Sequence, residues 1–258
     1  MLSVVTTTYN TPPDILARTW ASLKAQTHTE WEWVIYDDST TTQVQSQVYG
    51  FCSDERYTIR YFRPHIPSNG NIGYAKRMGF GLSLGEVIVE LDHDDELTPD
   101  ALHLINLTFT DMPHIGFVYS DWCEIFPDGS SGRYPDGWAF GYGSDYWSEE
   151  HGVWVMSAPE INRTTLSHIV SAPNHVRAWR ASVYRKINGH DVSLVIADDY
   201  DLVVRTALAT KMMHIPHMLY KQHVGHMTAQ RQRNALIQEL VPQIHNRYSD
   251  QLDRLYGK

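Results

Sequence analysis

"GEVIVELDHDDELTPDAL", residues 85–102, decides the fold. Val87, Ile88, Val89 and Leu91 form an apolar run with Glu90 as its one polar interruption, and a short run of that kind reads as a buried strand. It ends in Asp92, His93, Asp94, Asp95 and Glu96, four carboxylates in five positions. Self-repulsion makes such crowding costly unless water, a cation or a positive partner offsets it. Asp92 and Asp94 lie two apart, so in extended backbone they project the same way, and paired carboxylates suit hard divalent cations such as Mg²⁺ or Mn²⁺. The plainer reading is a solvated turn ahead of the helix that Thr98-Pro99 opens.

Working outward, Leu2–Thr7 reads as a first strand. A helix follows in "TPPDILARTWASLKAQ", with Thr11 as N-cap, proline at the first helical position, and Ile15, Leu16, Trp20 and Leu23 on one face. "EWVIYDD" is a second strand, followed by a short helix reaching Phe51, and "TIRYFR" is a third. After "NGNIGY" the pattern predicts a helix to about Leu84 with Gly85 as its stop. Residues 86–91 are the fourth strand and "IGFVYSD" the fifth. Strands alternating with helices imply right-handed βαβ units and a mostly parallel sheet, an α/β fold. Ligands in such sheets bind outside the carboxyl ends of the strands. Asp37-Asp38 and Asp92–Asp95 both lie there. The second half is less regular: "FPDGSSGRYPDGWAFGYGSDYW" reads as hairpins and long loops. Helices are expected at 176–187 and 199–210, a strand at "MMHIP", and a helical segment from Thr228 that Pro242 interrupts.

The 258 residues are 42% hydrophobic and carry a formal net charge of −9. That length supports one large domain with a substantial core, and that charge argues against a duplex nucleic-acid partner. Cys52 and Cys123 have no metal-like spacing and read as reduced thiols. No stretch approaches ~18 consecutive apolar residues, and the chain enters a strand without a signal-like leader. The expectation is a soluble, cytoplasmic protein, peripheral to a membrane at most.

The ordered set "SVVTTTYN", "VIYDDST", "NIGYAKRMGFGLSLGEVIVELDHDD", "ADDYDLVVRTAL" and "YKQHVGHMT" resembles family 2 glycosyltransferases, inverting enzymes of the GT-A fold, over roughly residues 2–228. The resemblance implies a single GT-A domain. A nucleotide-sugar half would cover about 1–121, an acceptor half about 122–228, and a helical segment about 229–258. It implies a hexosyltransferase using a nucleoside-diphosphate sugar, UDP favoured, with Mn²⁺ or Mg²⁺, acting on a glycan or glycoconjugate hydroxyl. It makes Asp92-His93-Asp94 a D-x-D motif, with Asp92 near ribose and metal, Asp94 on the metal, His93 in the variable middle position and Asp95 in support. Asp38 would take the pyrimidine N3–H, although an Asx-turn with Ser39 explains the local sequence as well. Thr6, Thr7 and Tyr9 would line the nucleotide pocket, and Asn71, Gly73 and Arg77 would shape it, with Arg77 able to reach phosphate.

The "NGNIGYAKR" loop lacks the G-K-[ST] of a P-loop, and no G-x-G-x-x-G follows the first strand. In "ADDYDL" the resemblance makes Asp199 the base that deprotonates the acceptor, with Asp198 beside it where relatives have glutamate; stabilisation by the helix dipole is the simpler account of both. His223 would complete the metal site or contact phosphate, with less weight on His214, His217 and His226. Arg231 and Arg233 would neutralise diphosphate or face solvent. Trp138, Tyr142, Trp147 and Trp154 would form an aromatic acceptor platform, or a satellite core under the loops. Two other functions fit parts of the pattern: a sugar nucleotidyltransferase, which should carry a basic glycine-rich signature after the first strand, and a non-catalytic nucleotide-sugar or glycan-binding module, which has no need of Asp199.

Overall fold

Leu2–Thr8 (β1), Trp31–Asp37 (β2), Thr58–Phe62 (β3) and Val87–Glu90 (β4) pair in parallel in the order β3-β2-β1-β4. The structure is a computed structural model describing residues 1–169, 172–225 and 233–257. β1 and β2 are buried almost throughout, as strands covered on both faces must be. Pro13–Lys24 (α1) and Gln43–Phe51 (α2) cover one face, where Trp20 stacks on Trp33 at 5.3 Å and on Phe51 at 5.6 Å. The buried Trp33 indole donates to Thr6 Oγ1 at 2.9 Å, so its polar edge is satisfied. Ile72–Gly81 (α3) covers the other face.

The sheet continues with elements of the second half. Glu96–Leu97 (β5) follows the acidic turn, Ala101–Asp111 (α4) leads into Ile115–Ile125 (β6), and Ser144–Ser148 (β7) and Val153–Ser157 (β8) form a hairpin beside β6. Arg163–His168 (α5) precedes Arg177–Arg180 (β9), Ala181–Lys186 (α6), Asp198–Ala209 (α7), Lys211–His223 (β10) and Asn234–Tyr256 (α8). The full path is β3-β2-β1-β4-β9-β6-β10-β5. β9 runs antiparallel between β4 and β6, while β6 and β10 are parallel. The α/β class and the mostly parallel, helix-flanked sheet expected from the sequence are present. The interleaving of β9 means that the stretches about 1–121 and 122–228 do not form separate layers.

Several local expectations are corrected. Residues 177–180 are a strand, not the start of a helix, and only Ala181–Lys186 is helical. Pro12, not Thr11, is the N-cap of α1, with Pro13 opening the helix. α3 ends at Gly81 rather than near Leu84. Gly85 serves a different purpose: a Cβ there would lie 2.7 Å from Ser3 N and 2.8 Å from Met1 O, so its bare backbone lets β1 approach. α8 runs through Pro242 without a break. Pro242 and Gln238, whose carbonyl loses its helical donor, are both exposed, which leaves that carbonyl's residue on the solvent side of the helix. Thr228 and the residues up to Gln232 lie outside the described residues. Among the described residues no helix is long and apolar enough to cross a membrane, and Cys52 and Cys123 are both free thiols.

Candidate active site

The acidic turn after β4 is held from two sides. From α1, Arg18 Nη2 donates to the Asp94 carbonyl at 2.6 Å, and the Thr19 hydroxyl lies 2.9 and 3.0 Å from the carbonyls of His93 and Asp95. From β10, the Tyr220 hydroxyl donates to Asp95 Oδ2 at 2.8 Å and accepts from Asp92 N at 3.1 Å, while His223 N donates to Asp95 Oδ1 at 2.7 Å. Asp95 is buried, and these bonds tie its carboxyl to β10. Burial, with the charges of Asp94 and Asp92 beside it, pushes the Asp95 carboxyl well above the usual carboxylate range. Asp92 differs. Burial alone would raise it, but Lys76 and His175 outweigh that and hold it below its ordinary value. Lys76 Nζ lies 3.3 Å from Asp92 Oδ1 and His175 Nε2 lies 3.4 Å from Asp92 Oδ2.

Beneath this turn lies a row of buried charge. Lys76 Nζ donates to Glu90 Oε1 at 2.5 Å. Arg177 Nη1 lies 3.7 Å from Glu90 Oε2 and donates to Asp199 Oδ2 at 3.0 Å. Asp199 opens α7 with Asp198, after Ala197 turns the chain in a left-handed conformation with φ 60°. The Asp199 side chain is 32% exposed, against 4% for Asp198, so Asp199 is the more open of the two. Burial would raise its pKa, but Arg177 and Lys76 more than compensate and lower it. Asp198 has no such partner. Burial pushes it up to about 7 against the pull of Lys76, its Oδ2 makes no hydrogen bond among the described residues, and His190 Nε2 is 3.7 Å away. His190 is itself driven well below its usual value by burial and by Lys76.

The expected nucleotide residues are distributed unevenly. Asp38 is 3% exposed and both of its oxygens are engaged by Ser68, from N at 2.8 Å and Oγ at 2.6 Å. The turn with Ser39 belongs to Asp37, whose Oδ1 accepts from Ser39 N at 3.1 Å. Thr6 is spent on Trp33, on the α1–α2 face. Thr7 is half-buried on the α3 side and Tyr9 is exposed at the strand's exit. Asn71 caps α3, accepting from Tyr74 N at 2.9 Å, and donates to Val192 O at 3.0 Å. Gly73 lies against the segment leading to α7: a Cβ there would be 2.4 Å from Leu194 O and 2.6 Å from Asp191 O. Arg77 turns away from the acids onto Asn188 Oδ1 at 2.7 Å and the His190 carbonyl at 3.3 Å. The cation of this helix that enters the site is its neighbour, Lys76.

Asp92, Asp94 and His223 do not come together as a preformed set of three metal ligands; the described residues contain no such cluster of His, Cys, Asp or Glu. The His223 imidazole is drawn instead to Glu96 Oε1, at 2.6 Å. Asp92 and Asp94 still offer the hard oxygens that Mn²⁺ or Mg²⁺ prefers, and two protein ligands fit an ion whose other positions are filled by phosphate and water. Of the aromatic candidates, Trp138 packs edge-on against Trp122 at 5.8 Å and against Tyr134 at 4.9 Å, so it belongs to the core rather than to a platform. Trp147 and Trp154 are cross-strand partners on one face of the β7–β8 hairpin, with the Arg133 guanidinium 4.4 Å over Trp154. Tyr142 is exposed beside them in sequence. His214 pairs with Asp121 at 2.6 Å, His217 is exposed on β10, and Arg233 donates to the Gly70 and Val195 carbonyls. His226 and Arg231 lie outside the described residues.

Sequence reasoning missed Lys76, Glu90, His175, Arg177 and Tyr220. Glu90 carried the one available signal: a carboxylate at the end of a buried strand needs a partner.

Comparison with known proteins places this geometry in context. Staphylococcus aureus TarS, solved with UDP-GlcNAc, superposes with a TM-score of 0.66 at 17% identity, over 88% of this chain and 59% of that one. A mannosyltransferase from Pyrobaculum calidifontis, solved with GDP-Man and Mn²⁺, gives a TM-score of 0.62 at 14% identity, over 90% of this chain and 59% of that one. These likenesses fix the fold as GT-A. In sequence, the Myxococcus xanthus O-antigen biosynthesis protein RfbC is 24% identical over 228 residues, 87% of this chain and 16% of that protein. The chain thus spans about a sixth of RfbC, and it spans 21% of a Sinorhizobium fredii relative, y4gI. The family model for glycosyl transferase family 2 matches residues 3–186, taking in all of β1 but Leu2, the acidic turn, Lys76, Glu90 and Arg177. With a family match over most of its length and the fold to go with it, the chain belongs to glycosyl transferase family 2.

Proposed function

We propose that this glycosyltransferase moves a sugar, with inversion, from a UDP-sugar to a hydroxyl of a glycan chain, and that Asp199 is the base. The observation that carries the reading is the state of Asp199: a carboxylate held ionised by a fixed guanidinium, with about a third of its side chain open to solvent. An inverting transfer needs such a group to take the acceptor proton as the hydroxyl attacks the anomeric carbon opposite the departing diphosphate. The start of α7 holds it rigidly, and the helix dipole favours its charge. Asp38, held at both oxygens by Ser68, would accept from the nucleobase. Asp92 and Asp94 would hold a divalent ion, which when bound supplies positive charge to the leaving diphosphate. Lys76 holds Asp92 in place from below. The TarS and Pyrobaculum complexes with nucleotide sugars support a donor of this class, and the name of RfbC supports a polysaccharide acceptor.

Asp199→Asn keeps size and polarity but cannot take the proton, so transfer should fall by ~10²-fold or more while UDP binding by calorimetry is retained. EDTA should stop the parent enzyme, and Mn²⁺ or Mg²⁺ should restore it. Product NMR should give an anomeric configuration opposite to the donor's. An Asp199→Asn protein that transfers normally, or a retained configuration, overturns the assignment; a parent that binds UDP-sugars and turns over none is a binding module.

A further inference from the structure

The base and the donor aspartate are joined by one unbroken row of alternating charge: Asp92, Lys76, Glu90, Arg177 and Asp199, with successive gaps of 3.3, 2.5, 3.7 and 3.0 Å. Its centre is the pair Glu90 and Arg177. They stand directly opposite each other in the β4–β9 ladder, and both side chains are 2% exposed. Arg177 is anchored at a third point, its Nε donating to the Pro173 carbonyl at 3.1 Å. Glu90 divides its oxygens: Oε1 takes Lys76, and Oε2 makes no hydrogen bond among the described residues but faces the guanidinium.

We propose that Arg177 and Glu90 are positioning residues for Asp199: the anchored guanidinium fixes the orientation of its carboxylate, and Glu90 sets how much of the guanidinium's charge Asp199 feels. The proposal rests on Asp199 being the base. A guanidinium keeps its proton inside a protein and offers a rigid fork of donors, so it can hold a carboxylate without taking part in the proton transfer. With Asp199 Oδ2 on Arg177 and Oδ1 accepting from Tyr200 N at 2.8 Å, both oxygens are fixed and each keeps a lone pair for an incoming hydroxyl. An arginine facing Asp199 alone would hold the base less basic still. Glu90 draws part of that charge away.

The groups facing Asp199 are Arg177 from β9, Glu90 from β4, Lys76 from α3, Asp198 from its own helix and His190 from the preceding turn. Arg177 lowers its proton affinity and Glu90 raises it, so removing each should act with opposite sign. Structural damage would show no such opposition.

The test is a carbon-13 NMR titration of the Asp199 carboxyl in protein labelled at aspartate, with the signal assigned through Asp199→Asn. Arg177→Gln should raise the proton affinity of Asp199 by about tenfold or more, one pH unit in its midpoint. Arg177→Lys, which restores charge without the fork, should raise it less. Glu90→Gln should lower it. If Arg177→Gln fails to fold with Glu90 left unpaired, Glu90→Gln and the double variant Glu90→Gln with Arg177→Gln carry the test. A midpoint equal to the parent's in either single variant, shifts of the same sign in both, or a double variant whose midpoint does not rise above that of Glu90→Gln alone, overturns the proposal. Turnover by Asp199→Asn is read separately: opposite shifts with an active Asp199→Asn protein would keep the coupling and remove the base role.

Discussion

Asp198 and Asp199 are neighbours in the chain in unlike surroundings, and that difference makes a prediction about stability. Asp199 has a guanidinium; Asp198 has a neutral imidazole at 3.7 Å and little solvent. With a folded value of about 7 against ~3.9 when unfolded, Asp198 retains a proton in the native state that the unfolded chain has already lost. Stability therefore falls as pH rises through that window. Asp198→Asn removes the slope. In urea denaturation the variant should gain on the parent between about pH 4 and about pH 7, by a few kcal/mol at most; parallel curves would mean that Asp198 ionises freely. At this scale the acids were legible in the sequence because four carboxylates at the end of an apolar run are anomalous. Their cations were not. Lys76 and Arg77 are adjacent on one helix, and nothing local says which turns inward; burial against β4 selects Lys76 and leaves Arg77 to the 188–190 turn. Arg177 reaches Glu90 only through a strand pairing that joins distant parts of the chain.

The start of α3 lies against the loop that launches α7, and Gly73 is the point of contact. A Cβ there would come 2.4 and 2.6 Å from two backbone carbonyls and 3.1 Å from Asp198 Cβ. Backbone on both sides has no flexible end to yield, so one element must move. Gly73→Ala should cost ~1–3 kcal/mol in denaturant unfolding. It should also lower transfer more than it lowers UDP affinity, because the displaced element carries Asp199; an unchanged Tm and rate would show that the contact relaxes freely. The first four strands and α1, α2, α3 and α7 were readable from period and punctuation. β9 was not. "VRAWR" is short, buried on both faces and joined to α6 without a turn residue, so neither alternation nor a breaker marks where strand ends and helix begins. The β8 strand and the six-residue α5 likewise lacked a period long enough to read.

For the molecule as a whole, the order of motifs along the chain carried the class, and family membership sets aside the nucleotidyltransferase alternative. What the sequence could not show was how its halves interlock. β9 closes against β4, whose other neighbour is β1, so a fragment of residues 1–121 keeps β4 as a bare edge with Glu90 on it and no Arg177 to meet it. Such a fragment should give neither a cooperative unfolding transition nor UDP binding, and should associate through that edge; a monomeric, cooperatively folding 1–121 would contradict this. The same topology bears on biosynthesis. Between Glu90 and Arg177 the ribosome must add roughly 90 residues, a delay of ~5–20 s at ordinary elongation rates. Throughout it the nascent chain holds an unpaired strand edge and a Lys76–Glu90 pair without its second cation, which makes this interval the point in the protein's life most exposed to misassembly and to capture by chaperones.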